Sequence, residues 1–319
     1  MLAVLFPGQG SQYVGMGSDL YQKYDDIKKN FDIVDKALKY SLSEIILSGP
    51  DDKLKLTQNT QPAIMVLSVS IFNLLMKKNN SVLKKIKFFA GHSLGEYTAL
   101  VCAGSLSLEK AAYLLHERGK SMQEAVPPGI GAMTAILGMK IEEVEKEIAF
   151  LEKDGGACEI ANDNTNGQVV VSGTKKNIDI LNENLKKKKK RGIILPVSAP
   201  FHCSMMKSAA DKMESKINNA DFLDPNPKII SNVTAKEENH SETIKSLLIK
   251  QITARVRWRE SVNYMIQNDI NKFIEIGPGK VLTGLVKKID GNVDIKNINT
   301  IDDIQNYEIL WLILKIKKY

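Results

Sequence analysis

The residues best suited to chemistry lie at positions 91–95, where the sequence reads GHSLG, a Gly-x-Ser-x-Gly pattern. The apolar run at 86–90 before it is typical of a buried strand, and the stretch at 98–103 after it is typical of a helix. A serine on a sharp turn between a strand and a helix is a nucleophile elbow, in which the flanking glycines avoid collisions. Free N–H groups at the start of the helix would face an oxyanion. This context favours Ser93 as a nucleophile, although the pattern also occurs in surface turns.

A serine hydroxyl is a weak nucleophile at neutral pH and needs a base, and the chain has four histidines. His116 and His240 have ordinary helical or loop contexts. His92 adjoins Ser93, but the turn directs neighbouring side chains apart, so we expect His92 to fix the turn. His202 follows a predicted strand, at the edge of the sheet where sites form. A histidine there also suits a purely structural role, but beside an elbow it is the best candidate for the base.

The predicted helix at 108–123 offers an indication of the substrate. Its apolar residues recur at helical spacing and form one stripe: Leu108, Ala111, Leu115 and Met122. Arg118 falls on this stripe, and a buried cation without a partner is very costly. One alternative is an internal Asp or Glu, which is the commoner partner of a buried arginine. The other is a substrate carboxylate held by two hydrogen bonds, which predicts a dicarboxylic acyl group.

Strands that alternate with helices predict an α/β fold with a parallel sheet. Its strands are expected at 2–6, 86–90, 228–231 and 272–276, with a helix at 61–76. Between 126 and 197 the order changes to β-α-β-β-α-β, with strands at 132–137, 157–161, 169–172 and 193–197 and helices at 141–151 and 175–188. This order predicts a ferredoxin-like subdomain inserted into a larger domain. We therefore expect a discontinuous large domain at 1–125 and 198–319 and a subdomain at 126–197.

Cysteine usage and apolar runs narrow the class of protein. Cys102, Cys158 and Cys203 lie far apart, which argues against a disulfide framework and a zinc site and favours a reducing compartment. The first six residues lack a basic region and predict a strand instead of a signal peptide. No apolar run is long enough to span a bilayer. We therefore expect a cytoplasmic protein with no metal and no membrane partner.

The net charge of +7 is unevenly placed. Residues 186–191 form one basic block, and Lys315, Lys317 and Lys318 add charge near the C-terminus. The block suits a solvated helix end or an acidic protein partner equally well. No aromatic residues interleave it and no nucleic-acid motif accompanies it, so no nucleic-acid partner is expected. Two glycine-rich segments, at 8–13 and 277–281, lack residues that dinucleotide and P-loop sites require.

Five motifs together resemble the malonyl-CoA:acyl carrier protein transacylase family. They are FPGQGSQ at 6–12, GHSLGE at 91–96, RGK at 118–120, PFH at 200–202 and GPG at 277–279. The resemblance runs from the first strand to about Val286, and 290–319 match no part of the pattern. It implies an α/β-hydrolase-like parallel-sheet core with a ferredoxin-like insertion, in agreement with the order of elements above.

The resemblance also implies a two-step transfer. Ser93 would attack the malonyl thioester while His202 accepts its proton, giving a malonyl-serine ester and free CoA. The phosphopantetheine thiol of an acyl carrier protein, deprotonated by His202, would then take the acyl group. Arg118 would hold the malonyl carboxylate. Malonyl-CoA and an acyl carrier protein are thus the expected partners of a monomeric enzyme that needs no metal or redox cofactor, with CoA as a leaving group.

Further site residues follow from the resemblance alone. The backbone N–H groups of Gln9 and Leu94 would form the oxyanion hole. Gln251 would orient His202 through its backbone carbonyl, in place of the carboxylate of a triad. Phe201 would narrow the pocket beside the C2 carbon of the acyl group, and His92 would lie among the substrate-binding residues.

Three rival functions share part of this pattern. A serine hydrolase or thioesterase acting on an acyl-CoA would use the same elbow and base. Its usual order, however, has an Asp or Glu between serine and histidine, and a buried arginine suits it poorly. A free-standing polyketide-type acyltransferase would use the same chemistry. A module that only binds carrier proteins would keep the basic surface, but it would have no reason to retain Ser93, His202 and Arg118 together.

Overall fold

Ten strands form two sheets in the computed structural model, which describes residues 1–78, 85–151, 156–197 and 199–306. In chain order they are β1 (Leu2–Phe6), β2 (Ile86–Gly91), β3 (Gly131–Leu137), β4 (Cys158–Thr165), β5 (Gln168–Thr174), β6 (Arg191–Ile194), β7 (Lys228–Ile230), β8 (Glu237–Glu238), β9 (Lys272–Ile276) and β10 (Asp294–Ile298). The larger sheet has the order β10-β9-β1-β2-β7-β8, and every neighbouring pair is parallel except β7 and β8. The smaller sheet has the order β4-β5-β3-β6 and is antiparallel. The predicted mixed α/β fold with a largely parallel sheet is confirmed.

Thirteen helices connect these strands within the described ranges. They are α1 (Ser18–Lys23), α2 (Asp25–Leu38), α3 (Leu42–Ser48), α4 (Asp51–Lys55), α5 (Thr57–Lys78), α6 (Gly95–Cys102), α7 (Leu108–Glu124), α8 (Ile141–Ile148), α9 (Lys175–Lys187), α10 (Lys207–Asn218), α11 (Ser241–Gln251), α12 (Trp258–Gln267) and α13 (Val281–Ile289). By length and composition α5 could cross a membrane, but 89% of its most apolar stretch is buried inside the protein. Helix α5 is therefore a helix of the protein core.

The larger sheet is covered by helices on both faces. Side chains of a strand alternate between the faces, and β1 shows this clearly. Val4 and Phe6 pack into the largest apolar cluster, with α2, α5 and α7, whereas Ala3 and Leu5 join a second cluster with α12 and α13. Because both faces are buried, the central strand β1 is a continuous apolar run. Their C-terminal ends are the open edge, where β1 and β2 deliver the loops of the site.

The smaller sheet is fastened to the larger part of the molecule through β4. Asp163 N donates to Val256 O at 3.0 Å, and Arg259 makes two hydrogen bonds, of 2.9 and 2.8 Å, to the Asp163 carboxylate. One face of this sheet packs against α8 and α9, and the other contributes to the largest apolar cluster. The basic block at 186–191 ends α9, where Lys188 pairs with Glu147 at 2.6 Å. The basic residues Lys315, Lys317 and Lys318 lie outside the described residues.

Several predicted boundaries differ from the structure. The strand expected at 193–197 is β6, Arg191–Ile194, because pairing with β3 starts at Arg191 and the chain leaves the sheet before Pro196, which has no N–H to donate. The helix expected at 141–151 ends at Ile148. Strands β8 and β10 were not predicted, and β10 falls in the C-terminal part that the motifs do not cover.

Candidate active site

Ser93 lies on the turn that joins β2 to α6. Its φ of 54° is in the left-handed region, which residues other than glycine rarely adopt. A Cβ on Gly95 would lie 2.3 Å from the carbonyl oxygen of Phe6, and one on Gly91 would lie 1.9 Å from the backbone carbon of Gly95. Both positions therefore have to be glycine, which explains the Gly-x-Ser-x-Gly spacing. The turn holds Ser93 at the C-terminal edge of the larger sheet.

His202 is placed as the partner of this serine. Its Nε2 lies 2.8 Å from Ser93 Oγ, and its Nδ1 lies 2.9 Å from the backbone oxygen of Gln251. Because a carbonyl can only accept, Nδ1 carries the proton and Nε2 is left to accept from the Ser93 hydroxyl. Burial and the nearby charge of Arg118 lower the pKa of His202 to about 3, so the ring is neutral at neutral pH. The pair has the geometry of a nucleophile and its base.

Arg118 reaches the same serine from α7 and is fully buried. Its Nη2 donates to Ser93 Oγ at 3.1 Å and to Gln251 Oε1 at 2.8 Å, and its Nη1 donates to Gln61 Oε1 at 2.8 Å. Burial lowers the pKa of Arg118, and the nearby Tyr97 and Glu96 oppose that shift. Within the described ranges its Nε has no hydrogen-bond partner, and no carboxylate forms an ion pair with it. The guanidinium is thus a cation beside the nucleophile that a bound carboxylate could pair with.

Two backbone N–H groups are available where the loop after β1 crosses the elbow. His92 N donates to Phe6 O at 3.1 Å, and a Cβ on Gly8 would lie 2.7 Å from His92 O, so the two segments are in close contact. Gln9 belongs to this loop and Leu94 to the start of α6. Among the hydrogen bonds of the described residues, none uses the N–H of Gln9 or of Leu94. Both are free to receive an oxyanion.

Two polar residues that we did not predict as site residues, Asn232 and Glu96, stabilise the elbow through hydrogen bonds. Asn232 Oδ1 accepts from Ser93 N at 2.7 Å, and Asn232 Nδ2 donates to Gly91 O at 2.7 Å. Glu96 Oε2 accepts from Asn232 N at 3.1 Å and from Gln251 Nε2 at 2.8 Å. Burial raises the pKa of Glu96 to about 7. The only sequence signals were a polar residue shortly after a buried strand, for Asn232, and an acidic residue within the GHSLGE motif, for Glu96.

His92 and Phe201 adjoin Ser93 and His202 in the sequence, and no hydrogen bond among the described residues joins either side chain to the Ser93 hydroxyl. His92 Nε2 lies 2.9 Å from Asn164 Oδ1, and its ring lies 5.6 Å from that of Trp258, so the residue is held between β4 and α12. Phe201 is 7% exposed and belongs to the largest apolar cluster, and its carbonyl accepts from Ser172 Oγ at 2.6 Å. A groove of about 420 Å³ opens beside His202, between α8 and the loop after α11.

Comparison with known proteins covers almost the whole chain. The family model for the acyl transferase domain matches residues 4–308. The malonyl CoA-acyl carrier protein transacylase of Bacillus subtilis strain 168 is 44% identical over 290 residues, which are 91% of this chain and 90% of that protein. An acyl-carrier-protein-S-malonyltransferase from Bartonella henselae superposes with a TM-score of 0.94 at 42% identity, covering 97% of this chain and 98% of that one. A type II polyketide synthase acyl-carrier protein in complex with its malonyl-transacylase provides a further match, with a TM-score of 0.91, 36% identity and coverage of 95% and 97%.

Proposed function

Because the chain belongs to the malonyl CoA-acyl carrier protein transacylases of the acyl transferase domain family, we propose that it transfers malonyl groups from malonyl-CoA to the thiol of an acyl carrier protein through Ser93. It is an acyltransferase, and malonyl-CoA and an acyl carrier protein are its partners. One observation carries the assignment of Ser93. Its Oγ lies 2.8 Å from His202 Nε2 and 3.1 Å from Arg118 Nη2, so a nucleophile, a base and a cation meet at one atom.

In the first step the malonyl carboxylate pairs with Arg118, which brings the thioester carbonyl to Ser93. His202 Nε2 accepts the hydroxyl proton as Oγ bonds to the carbonyl carbon. The negative charge on the carbonyl oxygen is stabilised by the N–H groups of Gln9 and Leu94. The tetrahedral intermediate collapses, the C–S bond breaks, and the CoA thiolate takes the proton from His202. The product is a malonyl-serine ester.

In the second step the phosphopantetheine thiol of the carrier protein replaces CoA. His202 accepts the thiol proton, and the thiolate attacks the ester carbon above the same two N–H groups. When the C–O bond breaks, His202 returns the proton to Ser93 Oγ. Gln251 O holds the Nδ1 proton at 2.9 Å throughout, so Nε2 stays the exchanging nitrogen. Each proton moves to or from His202 Nε2, and the proposed reaction needs no metal or redox cofactor.

A serine hydrolase fits the geometry less well. A hydrolase of the usual type would orient His202 with a carboxylate, but here a backbone carbonyl occupies that position. The arrangement also provides a buried cation that a neutral acyl group would leave without a counter-ion. A polyketide-type acyltransferase would use the same atoms and differ only in its carrier protein. We propose fatty acid synthesis as the pathway that uses the product, as the family resemblance of the five motifs implies.

The finer architecture is also a proposal. The strand order β4-β5-β3-β6 with two helices on one face supports a ferredoxin-like subdomain at 126–197. The larger sheet takes strands only from before and after that segment, which supports an α/β-hydrolase-like domain at 1–125 and 198–319, the residue at the 198 boundary lying outside the described ranges. The wide spacing of Cys102, Cys158 and Cys203 in the sequence suits a reducing, cytoplasmic setting. A monomeric state remains a prediction.

The function is tested by incubation with malonyl-CoA labelled in the malonyl group, with and without a pantetheinylated carrier protein. We expect covalent label on the enzyme that passes to the carrier protein when the carrier is added. Label that is released as free malonate would instead identify a hydrolase. A protein that never acquires label would be a binding module.

We also expect Phe201 to contribute to acyl choice. It directly precedes His202 in sequence and is almost fully buried. If its ring borders the acyl pocket, the extra methyl of a methylmalonyl group costs about 1–3 kcal/mol. Phe201→Ser should then raise methylmalonyl transfer relative to malonyl transfer by roughly tenfold in competition assays. An unchanged ratio, accompanied by a lower thermal unfolding temperature, would assign Phe201 to core packing alone.

A further inference from the structure

The carboxyl group of Glu96 accepts hydrogen bonds from Asn232 and Gln251, the residues that contact Ser93 and His202. Glu96 belongs to the first turn of α6 and is 1% exposed. Its Oε2 accepts from Gln251 Nε2 at 2.8 Å and from Asn232 N at 3.1 Å, whereas its Oε1 has no partner in the part of the chain that the structure describes. Two buried donors therefore share one acceptor oxygen atom.

The side-chain amide of Gln251 bridges Glu96 and Arg118. Its Oε1 accepts from Arg118 Nη2 at 2.8 Å, and its Nε2 donates to Glu96 Oε2 and, at 3.1 Å, to Ser93 O. Rotating the amide by half a turn would set its NH₂ group against the guanidinium and its oxygen against the carboxyl. Only one orientation of Gln251 is therefore compatible with both neighbours. The same residue presents its backbone oxygen to His202 Nδ1.

Glu96 also supports the serine side of the site. By accepting from the backbone N–H of Asn232 it fixes the residue whose side chain holds Ser93 N and Gly91 O. These two contacts hold the elbow, where Ser93 has its left-handed φ of 54°. One carboxyl group thus supports both the nucleophile and the base from a distance of two hydrogen bonds.

We propose that Glu96 is a positioning residue for malonyl transfer. By accepting hydrogen bonds from Gln251 and Asn232, it keeps His202 Nε2 within hydrogen-bond distance of Ser93 Oγ. This role depends on the proposed function. It requires a hydrogen-bond acceptor at the position of Glu96 Oε2, and a negative charge there is less important. Burial raises the pKa of the group to about 7, so at neutral pH the carboxyl is ionised only in part. The role differs from that of Arg118, because Glu96 touches no reacting atom.

Two substitutions separate the acceptor from the charge. Glu96→Gln keeps an oxygen at the same reach and removes the charge, whereas Glu96→Asp keeps the charge and withdraws the oxygen by one methylene. We expect Glu96→Asp to slow single-turnover malonylation of Ser93, followed by intact mass, by about tenfold to a hundredfold, because two buried donors lose their acceptor. Glu96→Gln should recover most of the wild-type rate. The KM for malonyl-CoA should change much less than kcat, since Arg118 is retained.

The matched control is Glu275→Asp, which shortens another buried carboxylate. Glu275 accepts from Leu282 N and Thr283 N at the start of α13, outside the site. It should lower the thermal unfolding temperature and leave the malonylation rate of the folded protein unchanged.

Three results would overturn the role of Glu96. The first is a wild-type malonylation rate in Glu96→Asp. The second is a higher malonylation rate in Glu96→Asp than in Glu96→Gln. The third is a loss of malonylation rate in Glu275→Asp equal to that in Glu96→Asp. Failure of the wild-type protein to become malonylated would instead contradict the proposed function, so the two failures are distinguishable.

Discussion

Alanine in place of Ser93 is expected to abolish covalent malonylation while leaving the fold intact. The substitution removes one oxygen atom from a turn whose backbone contacts come from Asn232 and from the Gly91 and Gly95 positions, and these do not involve the hydroxyl. Arg118 Nη2 loses one hydrogen bond but keeps its bond to Gln251, so only His202 Nε2 is left without a partner. Without the hydroxyl no ester can form, and intact mass after incubation with malonyl-CoA should show only the unmodified chain.

The thermal unfolding temperature of Ser93→Ala provides the control, and it should stay close to the wild-type value because the turn keeps its backbone contacts to Asn232. A variant that still gains the mass of one malonyl group would show that another residue is the nucleophile. A variant that loses both the label and the folded state would have to be replaced by Ser93→Cys. The cysteine keeps a nucleophilic atom on the turn and should restore labelling.

In the larger sheet, the strands predicted most accurately from the sequence are those buried on both faces. The predicted bounds of β1 and β9 agree with the structure. Strand β1 is an unbroken apolar run, and β9 has apolar side chains at Phe273, Ile274 and Ile276. Strand β8 consists of Glu237 and Glu238 at the edge of the sheet, and β10 mixes apolar with polar and charged residues. Edge strands face solvent, so their composition does not distinguish them from loops.

The site residues also differ in how well the sequence predicts them. For some of them the residue type indicates a function, and for others it does not. A serine in a Gly-x-Ser-x-Gly pattern, a histidine after a strand and an arginine on an apolar stripe each have a structural alternative, but together they predict a nucleophile, a base and a cation. The structure brings Ser93, His202 and Arg118 together. Gln251 acts through a backbone carbonyl, which every residue has. Asn232 reaches the elbow from 139 positions away. No local pattern contains such contacts, so only a family resemblance or a structure can reveal them.

Alanine in place of Arg118 is expected to reverse the acyl preference. In malonyl transfer the substrate carboxylate loses its charge-assisted hydrogen bonds, which are worth about 2–3 kcal/mol, or about 30- to 150-fold in kcat/KM. Acetyl transfer should rise relative to malonyl transfer, because a neutral acyl group no longer leaves a fully buried cation without a counter-ion. The measurement is the ratio of acetyl to malonyl on Ser93 by intact mass, after incubation with an equimolar mixture of the two CoA thioesters.

Arg118→Lys is the matched variant for this prediction. The lysine retains a positive charge but can reach the carboxylate with only one bond, so its preference for malonyl should lie between those of the wild type and Arg118→Ala. An unchanged acetyl-to-malonyl ratio in Arg118→Ala would contradict the assignment and leave Arg118 as a structural donor to Gln61 and Gln251. A purely structural arginine would lower both acyl transfers together, whereas a recognition residue changes their ratio. The ratio therefore decides between the two roles even if the variant is less stable.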